Sequence, residues 1–366
     1  MSEKVETKMW AYWLLFLVPA LQATTRLQIA DYSLKKNHLP NTWQILFVAL
    51  TLMIGFRHEV GGDWFNYLNH LEVATNETFE ETFGHGEPAF SLLNWIAAQS
   101  GLGVYLVNNV FALLFTWGLI SFCRIQPRPW LALVVAVPYL ITVVAMGYSR
   151  QGVAIGLVML GLVALQKRSV IKFLFWMALA ATFHKSAVIL IPLATLAGSR
   201  RPFLTFLLVA VTAALLFGLL LLEYLDNLIL GYVAAEYESS GAAIRIAMNA
   251  LPGIVFLSLR NRFELSTEQR HFWTWMAWGA LAFVVLLYFS PSSTAVDRVA
   301  LYWIPLQLFV WSRIPDALGR PGAKNALWVY AVVGYSATTH FVWLFFANHA
   351  FAWLPYQFYP WVWLWR

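Results

Sequence analysis

The chain has 366 residues, of which 60% are hydrophobic and only 11% are charged. Soluble domains are about 45–50% apolar and about 25% charged, so this composition excludes an ordinary soluble enzyme. The net charge of +6 suits a membrane protein and requires no nucleic acid as partner, and the one cysteine excludes an internal disulfide. We expect a single integral membrane domain over residues 1–366.

Apolar runs follow one another from Trp10 to Trp365 with few long polar gaps. Backbone inside a membrane must satisfy its own hydrogen bonds, which only helices and closed barrels achieve. The runs are continuous and do not alternate, which excludes a barrel. The sequence therefore predicts an all-α polytopic protein with about twelve transmembrane helices, several of them short or broken.

Alternate loops between the apolar runs are basic, and by the positive-inside rule we place them in the cytoplasm and the N-terminus outside. The basic loops hold Arg26, Lys35, Lys36, Arg124, Arg128, Lys167, Arg168, Lys172, Arg200, Arg201, Arg260, Arg262, Arg270, Arg313, Arg320 and Lys324.

Five basic residues away from the termini fall on the outward side instead: Arg57, Arg150, Lys185, Arg245 and Arg298. Each is placed at a helix end or break beside other polar groups. The ordinary alternative is a set of snorkelling interface anchors. Anchors favour the cytoplasmic side and need no surrounding motif, so we interpret the five as parts of an outward anion-binding cavity.

The first of them opens the stretch "FRHEVGGDWFNY", which ends an apolar run and adds Glu59 and Asp63. Gly61 and Gly62 allow backbone turns that are closed to other residues. The stretch begins an outward region, residues 57–103, in which "GHGEPAFSLLNW" supplies His85 and Glu87. Pro88 suits the first turn of a short amphipathic helix, which we place in the outer interface.

The stretch "MGYSRQGVAIGLVML" puts Arg150 and Gln151 at the outer junction of two helices. If the second helix starts near Ser149, its free N–H groups and positive dipole end face outward. Arg150 adds a fork suited to phosphate oxygens. An ordinary capped loop is the alternative.

The segment Phe173–Gly198 has 26 residues between two basic loops. A full span needs about 20 residues, so 26 are too few for two. We predict a broken hairpin that turns at "FHKS" and holds His184 and Lys185 in a cavity within the membrane. The alternative is one long helix with a buried structural histidine.

A second outward loop, residues 223–245, ends at Arg245, and "PSSTAVDRVALYW" brings Asp297 and Arg298 to a helix start with Tyr302 one turn on. A local contact between Asp297 and Arg298 is the structural alternative there. Outward aromatic residues are candidates for stacking on sugar rings, with an interfacial belt as the alternative. These are Trp64, Tyr67, Tyr148 and Trp303.

Taken in order, these motifs resemble the EpsG family of bacterial exopolysaccharide polymerases, which are similar in role to Wzy polymerases. Its pattern Arg-x-x-x-Gly-x-Asp-x-x-x-Tyr falls on Arg57, Gly61, Asp63 and Tyr67. The other matching stretches are "GEPAFSLLN", "YSRQGVAIG", "FHKSAVILIP" and "DRVALYW".

The resemblance implies a fold similar to GT-C-type membrane glycosyltransferases. It also implies a bacterial cytoplasmic membrane protein that joins oligosaccharide units carried on undecaprenyl diphosphate at its periplasmic face. The lipid-linked oligosaccharide is donor and acceptor, the protein lies in the lipid bilayer, and a chain-length co-polymerase is a further candidate partner.

Such a transfer needs a base for the acceptor hydroxyl and positive charge for the departing diphosphate. We rank His184 first as the base, followed by Asp63 and Glu59. We expect no metal ion or other cofactor. The alternative is a metal ion that Glu59 and Asp63 hold as ligands. The expected substrate-binding residues are Arg57, Arg150, Gln151, Lys185, Arg245, Arg298, Tyr67 and Tyr302.

Three other functions stay open. An O-antigen-ligase-like transferase would need the same arginine-rich cavity. A lipid-linked glycan transporter or flippase expects polar residues along a path that reaches both sides. A membrane acyltransferase would also use a histidine, but several outward arginines favour a diphosphate over a thioester.

Overall fold

The structure, a computed structural model, describes residues 9–25, 39–85, 87–197, 202–220, 239 and 241–364. This part of the chain consists of helices with connecting turns and loops, and it has one isolated bridge between Arg57 and Phe358. The α-helices are α1 Trp10–Thr25, α2 Asn41–Gly55, α3 Trp64–Asn76, α4 Pro88–Gln99, α5 Gly103–Arg124, α6 Pro129–Ala136, α7 Ser149–Gln166, α8 Val170–Phe183, α9 Pro202–Leu220, α10 Ala242–Leu259, α11 Thr267–Phe289, α12 Ser293–Ala300, α13 Ile304–Trp311, α14 Ile314–Leu318, α15 Ala326–Phe346 and α16 Tyr359–Leu364.

Shorter helical turns connect these helices. A π-helix, Val137–Ala145, continues α6, and 3₁₀ helices cover Glu81–His85, Lys185–Ala197, Arg260–Arg262, Leu301–Trp303 and Ala350–Ala352.

Within the described ranges, six helices are long and apolar enough to cross a membrane: α5, α7, α9, α10 with its 3₁₀ extension, α11 and α15. Four shorter apolar helices accompany them, over Asn41–Gly55, Pro129–Ala145, Val170–Phe183 and Lys185–Thr195. The all-helical prediction is confirmed, and the apolar helices fit a membrane protein. The predicted total of about twelve spans is not confirmed, because the four shorter helices fall below the usual spanning length.

Helix α7 lies at the centre of the bundle. Fifteen of its eighteen residues are buried, whereas only three of the nineteen residues of α9 are. Gly156 of α7 lies against α5, where a Cβ atom on it would come within 2.6 Å of the Phe115 Cα. Gly118 of α5 in turn touches the backbone of Gly156. Small residues allow this close approach, which fixes the position of α7 and of the polar residues at its N-terminal end.

We expect Gly118→Ala to destabilise the protein by about 1–3 kcal/mol, because the added methyl group meets rigid backbone and forces α5 away from α7. Thermal unfolding of purified protein in detergent measures the loss. Gly334→Ala on α15 is the matched control, since no atom lies within 4 Å of the added group. Equal unfolding temperatures for the two variants would contradict the tight α5–α7 contact.

The predicted break in the segment Phe173–Gly198 is confirmed. Helix α8 ends at Phe183, His184 is extended with φ −154° and ψ 106°, and a 3₁₀ helix begins at Lys185. The two arms pack against each other, so the chain turns back at His184. With fourteen residues, α8 is shorter than a full span.

Residues 57–103, which the sequence predicts to lie outward, fold as two helices, α3 and α4, joined by a 3₁₀ turn. Gly61 has φ +107°, and a Cβ atom there would lie within 2.8 Å of the Gly147 Cα, so this turn requires glycine. Gly62 does not have a positive φ, so the same expectation is wrong for that residue. Helix α4 starts at Pro88, as predicted.

The segment from Ala352 to Gln357, near the end of the chain, is hydrogen-bonded to the start of this region. His58 donates its N–H to the Gln357 carbonyl at 2.9 Å, and Gly61 donates to the Ala352 carbonyl at 2.8 Å. The Trp353 indole donates to the Thr142 carbonyl at 2.7 Å and is buried. These contacts hold residues 57–63 beside the start of α7. The predicted loop 223–245 lies mostly outside the described residues.

Candidate functional site

The Glu87 carboxylate is the centre of a buried polar cluster at the N-terminal end of α7. It is the residue before Pro88, at the start of α4, and is 6% exposed. Its Oε2 accepts from Nη1 of Arg150 at 2.9 Å, and its Oε1 accepts from Nδ1 of His184 at 2.9 Å. The backbone N–H of Lys185 donates to the same Oε1 at 3.3 Å. One carboxylate thus joins α4, α7 and the hairpin break.

These contacts determine the tautomer of His184. Burial raises the pKa of Glu87, but the hydrogen bond and charge of His184 and the charge of Arg150 outweigh it and lower the pKa to about 2. The carboxylate is therefore ionised at neutral pH and can only accept a hydrogen bond. Nδ1 of His184 must carry the shared proton, so in the neutral form of the ring the lone pair is on Nε2. No described residue is hydrogen-bonded to Nε2.

The lowered pKa of Glu87 predicts how stability depends on pH. The ionised cluster stabilises the folded protein above the ordinary pKa of 4.5, and this contribution is lost as the pH falls towards about 2. The difference in unfolding temperature between wild type and Glu87→Gln should shrink as the pH falls from 4.5 towards 2. Glu72→Gln, at an exposed position of α3, is the control. A difference that grows on acidification would contradict this assignment.

Arg150 lies in the first turn of α7, which starts at Ser149 as predicted. Its guanidinium stands 4.9 Å from the centre of the Phe90 ring, and its side chain is 29% exposed. The backbone N–H of Arg150 donates to the Tyr67 hydroxyl at 3.3 Å. Arg150 is therefore oriented by α4 while part of its fork stays accessible.

Asp63 faces the same cluster from the loop between α2 and α3. Burial raises its pKa, while the nearby charges of Arg298, Arg150 and His184 oppose that shift. Unlike Glu87, Asp63 forms no ion pair with another described residue. The structure thus brings Asp63, Arg150, His184 and Arg298 together, as predicted. The predicted entry to this cluster from the lipid stays a prediction.

Arg245 and Asp297 form a second ion pair beside this cluster. Nε and Nη2 of Arg245 donate to the two Asp297 oxygens at 2.8 and 2.6 Å. The Ser239 hydroxyl also donates to Asp297 at 3.1 Å. The acid at position 297 therefore pairs with α10. Nε and Nη2 of Arg245 are occupied by these bonds, so the predicted contact of Arg245 with a ligand stays a prediction.

The Arg57 side chain is buried away from this cluster. It is 1% exposed and donates to the Ile54 carbonyl at 2.7 Å, to Asn108 at 3.0 Å and to the Ser149 hydroxyl at 2.5 Å. Neutral acceptors surround it because the loop after α2 packs between α5 and α7. This placement leaves no surface of Arg57 for the substrate contact expected from the sequence, and gives it a role in holding the start of α7.

Three other predicted substrate-binding residues are also buried. Gln151 donates to the Arg298 carbonyl, the Tyr67 hydroxyl accepts from Arg150, and the Tyr302 hydroxyl pairs with Ser186 at 3.1 Å. They connect the elements that carry the exposed groups. Two of the expected sugar-stacking residues, Trp64 and Trp303, are buried as well, whereas Tyr148 is half-buried.

Glu59 lies apart from these contacts. It is exposed, has φ +50° and stands 3.8 Å from Nε2 of His58, which contacts Tyr105. Among the residues that the structure describes, no three His, Cys, Asp or Glu side chains are grouped as metal ligands. The alternative that Glu59 and Asp63 hold a metal gains no support from this placement.

The sequence prediction omitted two residues from the site: Glu87 and Asp297. The Glu-Pro start of α4 was the available signal for Glu87, since a carboxylate is favourable beside a helix N-terminus. The site as observed has four basic residues, Arg150, Lys185, Arg245 and Arg298, against the acids Asp63, Glu87 and Asp297. It combines an excess of positive charge with a histidine that a carboxylate orients, which suits an anionic leaving group and proton transfer.

Comparison with known proteins places this chain in a family. The family model described as "EpsG family" matches residues 41–358, nearly the whole chain. No curated protein and no solved structure matches it. The predicted likeness to GT-C-type glycosyltransferases therefore stays a prediction.

Proposed function

This chain belongs to the EpsG family and so is an exopolysaccharide-related membrane protein, and on that premise we propose that it is a polysaccharide polymerase. It joins oligosaccharide repeat units that are carried on undecaprenyl diphosphate. The observation that carries the proposal is the Glu87–His184 pair beside Arg150, at a helix break within the membrane domain.

In the proposed reaction, a hydroxyl of one lipid-linked unit attacks the anomeric carbon of another. A new carbon–oxygen bond forms at that carbon, and its bond to the diphosphate oxygen breaks. The hydroxyl proton passes to Nε2 of His184, which Glu87 holds in the required tautomer. The diphosphate leaves with both electrons of the broken bond.

Arg150 supplies positive charge for this leaving group. Its guanidinium presents paired N–H donors, which suit two oxygens of a phosphate. Glu87 and Phe90 fix its direction, so it needs little reorganisation when charge develops. Arg298 and Lys185 add charge from the facing elements. Asp63 is the second candidate base because burial raises its pKa, against the opposing charges of Arg298, Arg150 and His184.

The proposed orientation puts this site on the periplasmic face of the bacterial cytoplasmic membrane. The basic loops fall at the opposite ends of the same helices: Arg150 lies in the first turn of α7, which ends at Gln166 next to Lys167 and Arg168. Positive charge is favoured on the cytoplasmic side, which supports the assignment. A chain-length co-polymerase remains a proposed partner.

The proposal is tested by supplying purified protein in liposomes with its lipid-linked repeat unit and separating the products. A polymerase gives a ladder spaced by whole repeat units without any other acceptor. A single transfer that needs a foreign acceptor would indicate a ligase. Movement of the unit across the bilayer without a new bond would indicate a transporter, and either result would overturn the proposal.

A further inference from the structure

We infer that the inner end of the bundle holds a second site, which binds a phosphate-bearing ligand. A cavity of about 380 Å³ lies there between the ends of α5, α7 and α13 and the start of α11. Small-molecule sites are commonly about 300–1,000 Å³. Its wall contains three basic side chains, Lys167, Arg262 and Arg313.

The charges in this wall leave a positive excess. Of the two acids that line the cavity, Asp316 is already neutralised, since its oxygens accept from Arg128 at 2.9 and 2.7 Å. The other acid, Glu264, and the cations Lys167 and Arg262 form no ion pair with any residue of the described ranges. Lys167 and Arg262 therefore face one uncompensated carboxylate beside the Arg313 guanidinium, which favours an anionic ligand.

Arg313 gives the cavity a fixed donor. Its guanidinium stands 4.0 Å from the centre of the Phe309 ring and donates to the Phe309 carbonyl at 3.2 Å and to Gln126. These contacts hold the plane of the guanidinium at the cavity wall. A preorganised guanidinium loses less side-chain freedom on binding a phosphate than a mobile one does. A phosphate group is thus the anion that this wall suits best.

A second cavity of about 170 Å³ adjoins the first, and Gln166 and Gln269 line both. Phe272 and Trp273 supply apolar and aromatic surface in the smaller cavity. A ligand with its phosphate at Arg313 therefore has room for an apolar or planar part. The base of a nucleotide and the acyl region of a phospholipid both have this character.

The site is separate from the outward cluster. Gln166 follows Arg150 by sixteen positions on α7, which corresponds to about 24 Å along the helix. The basic loops at this end are those that the sequence assigns to the cytoplasm. The inference depends on the cavity alone and does not require the proposed polymerase activity.

Binding to the full-length protein in phosphatidylcholine nanodiscs tests the inference. The probes are ATP, for a soluble phosphate ligand, and dihexanoyl phosphatidic acid, for a lipid headgroup, with titration calorimetry as the readout. We expect saturable 1:1 binding of at least one probe. Lys167→Gln combined with Arg262→Gln should weaken it by about tenfold or more, because two cations are lost.

Two further variants keep the test independent of folding. Glu264→Gln removes the uncompensated carboxylate, so it should tighten binding several-fold. Arg320→Gln, at an exposed basic position outside the cavity, should leave binding unchanged. Binding of ATP identifies a soluble ligand, and binding of phosphatidic acid alone identifies a lipid headgroup. Absence of saturable binding by both probes, or equal affinity of the double variant and wild type, would overturn the inference.

Discussion

Purified His184→Ala protein is expected to elongate lipid-linked glycan roughly 10²–10⁴-fold more slowly than wild type, which is the usual worth of general acid–base catalysis. The variant removes Nε2, the ring nitrogen that the Glu87 contact leaves with a lone pair. Binding of the donor lipid should change little, since Arg150 and the other cations remain. Initial rates and donor affinity, measured on monodisperse protein, separate the two effects.

Companion variants distinguish between the candidate bases. Asp63→Asn keeps the shape of the side chain but cannot accept the proton. His349→Ala is the matched control, because His349 is an exposed histidine in the loop after α15. If His184→Ala lowered only the yield of folded protein and left its turnover intact, His184 would have only a structural role at the helix break. Near wild-type rates for both His184→Ala and Asp63→Asn would leave Glu59 or substrate-assisted chemistry as the source of the base.

The second large effect is expected at Arg150. Arg150→Gln should reduce the rate by roughly 10²–10³-fold, the cost of losing one preorganised group that stabilises developing charge. Arg150→Lys should recover only a small part of this loss, because an ammonium is a point charge and cannot hold two phosphate oxygens as a guanidinium does. The rate at saturating donor is the measurement that decides this.

The two substitutions at Arg150 control for each other. Both disturb the ion pair with Glu87, but Arg150→Lys keeps the positive charge near that buried carboxylate. Its unfolding temperature should therefore lie closer to wild type than that of Arg150→Gln. A lysine variant that polymerises at the wild-type rate would mean that charge alone is sufficient and that the fork has no special role.

The break at His184 was predictable because chain length and membrane thickness are enough to derive it. A segment of 26 residues between two basic loops cannot cross twice with full spans, so it must break, and polar residues mark the break. The start of α7 near Ser149 was likewise readable, because an Arg-Gln pair before a long apolar run indicates a helix terminus.

The partners of these residues were not predictable from one sequence. Glu87 lies 97 positions from His184, and Arg245 lies 52 positions from Asp297. Apolar patterning indicates where helices begin and end, but it does not indicate which helices are neighbours. The neighbouring positions of Asp297 and Arg298 suggested a local pair, yet the carboxylate is held by α10.

Arg57 shows a different limit. The positive-inside rule counts charges, so it singled out Arg57 as an exception but could not distinguish an accessible arginine from a buried one. The acceptors that satisfy Arg57 are neutral groups of Asn108, Ser149 and Ile54, which carry no charge signal in the sequence.

Our main proposal is that glycan transfer from a lipid diphosphate takes place at the Glu87–His184–Arg150 cluster. Its most direct test is to count undecaprenyl diphosphate released per glycosidic bond formed by the purified protein in liposomes. We expect one diphosphate lipid released for each repeat unit joined, and loss of both products together in His184→Ala. Glycan that changes sides of the bilayer while still attached to its diphosphate lipid would contradict it.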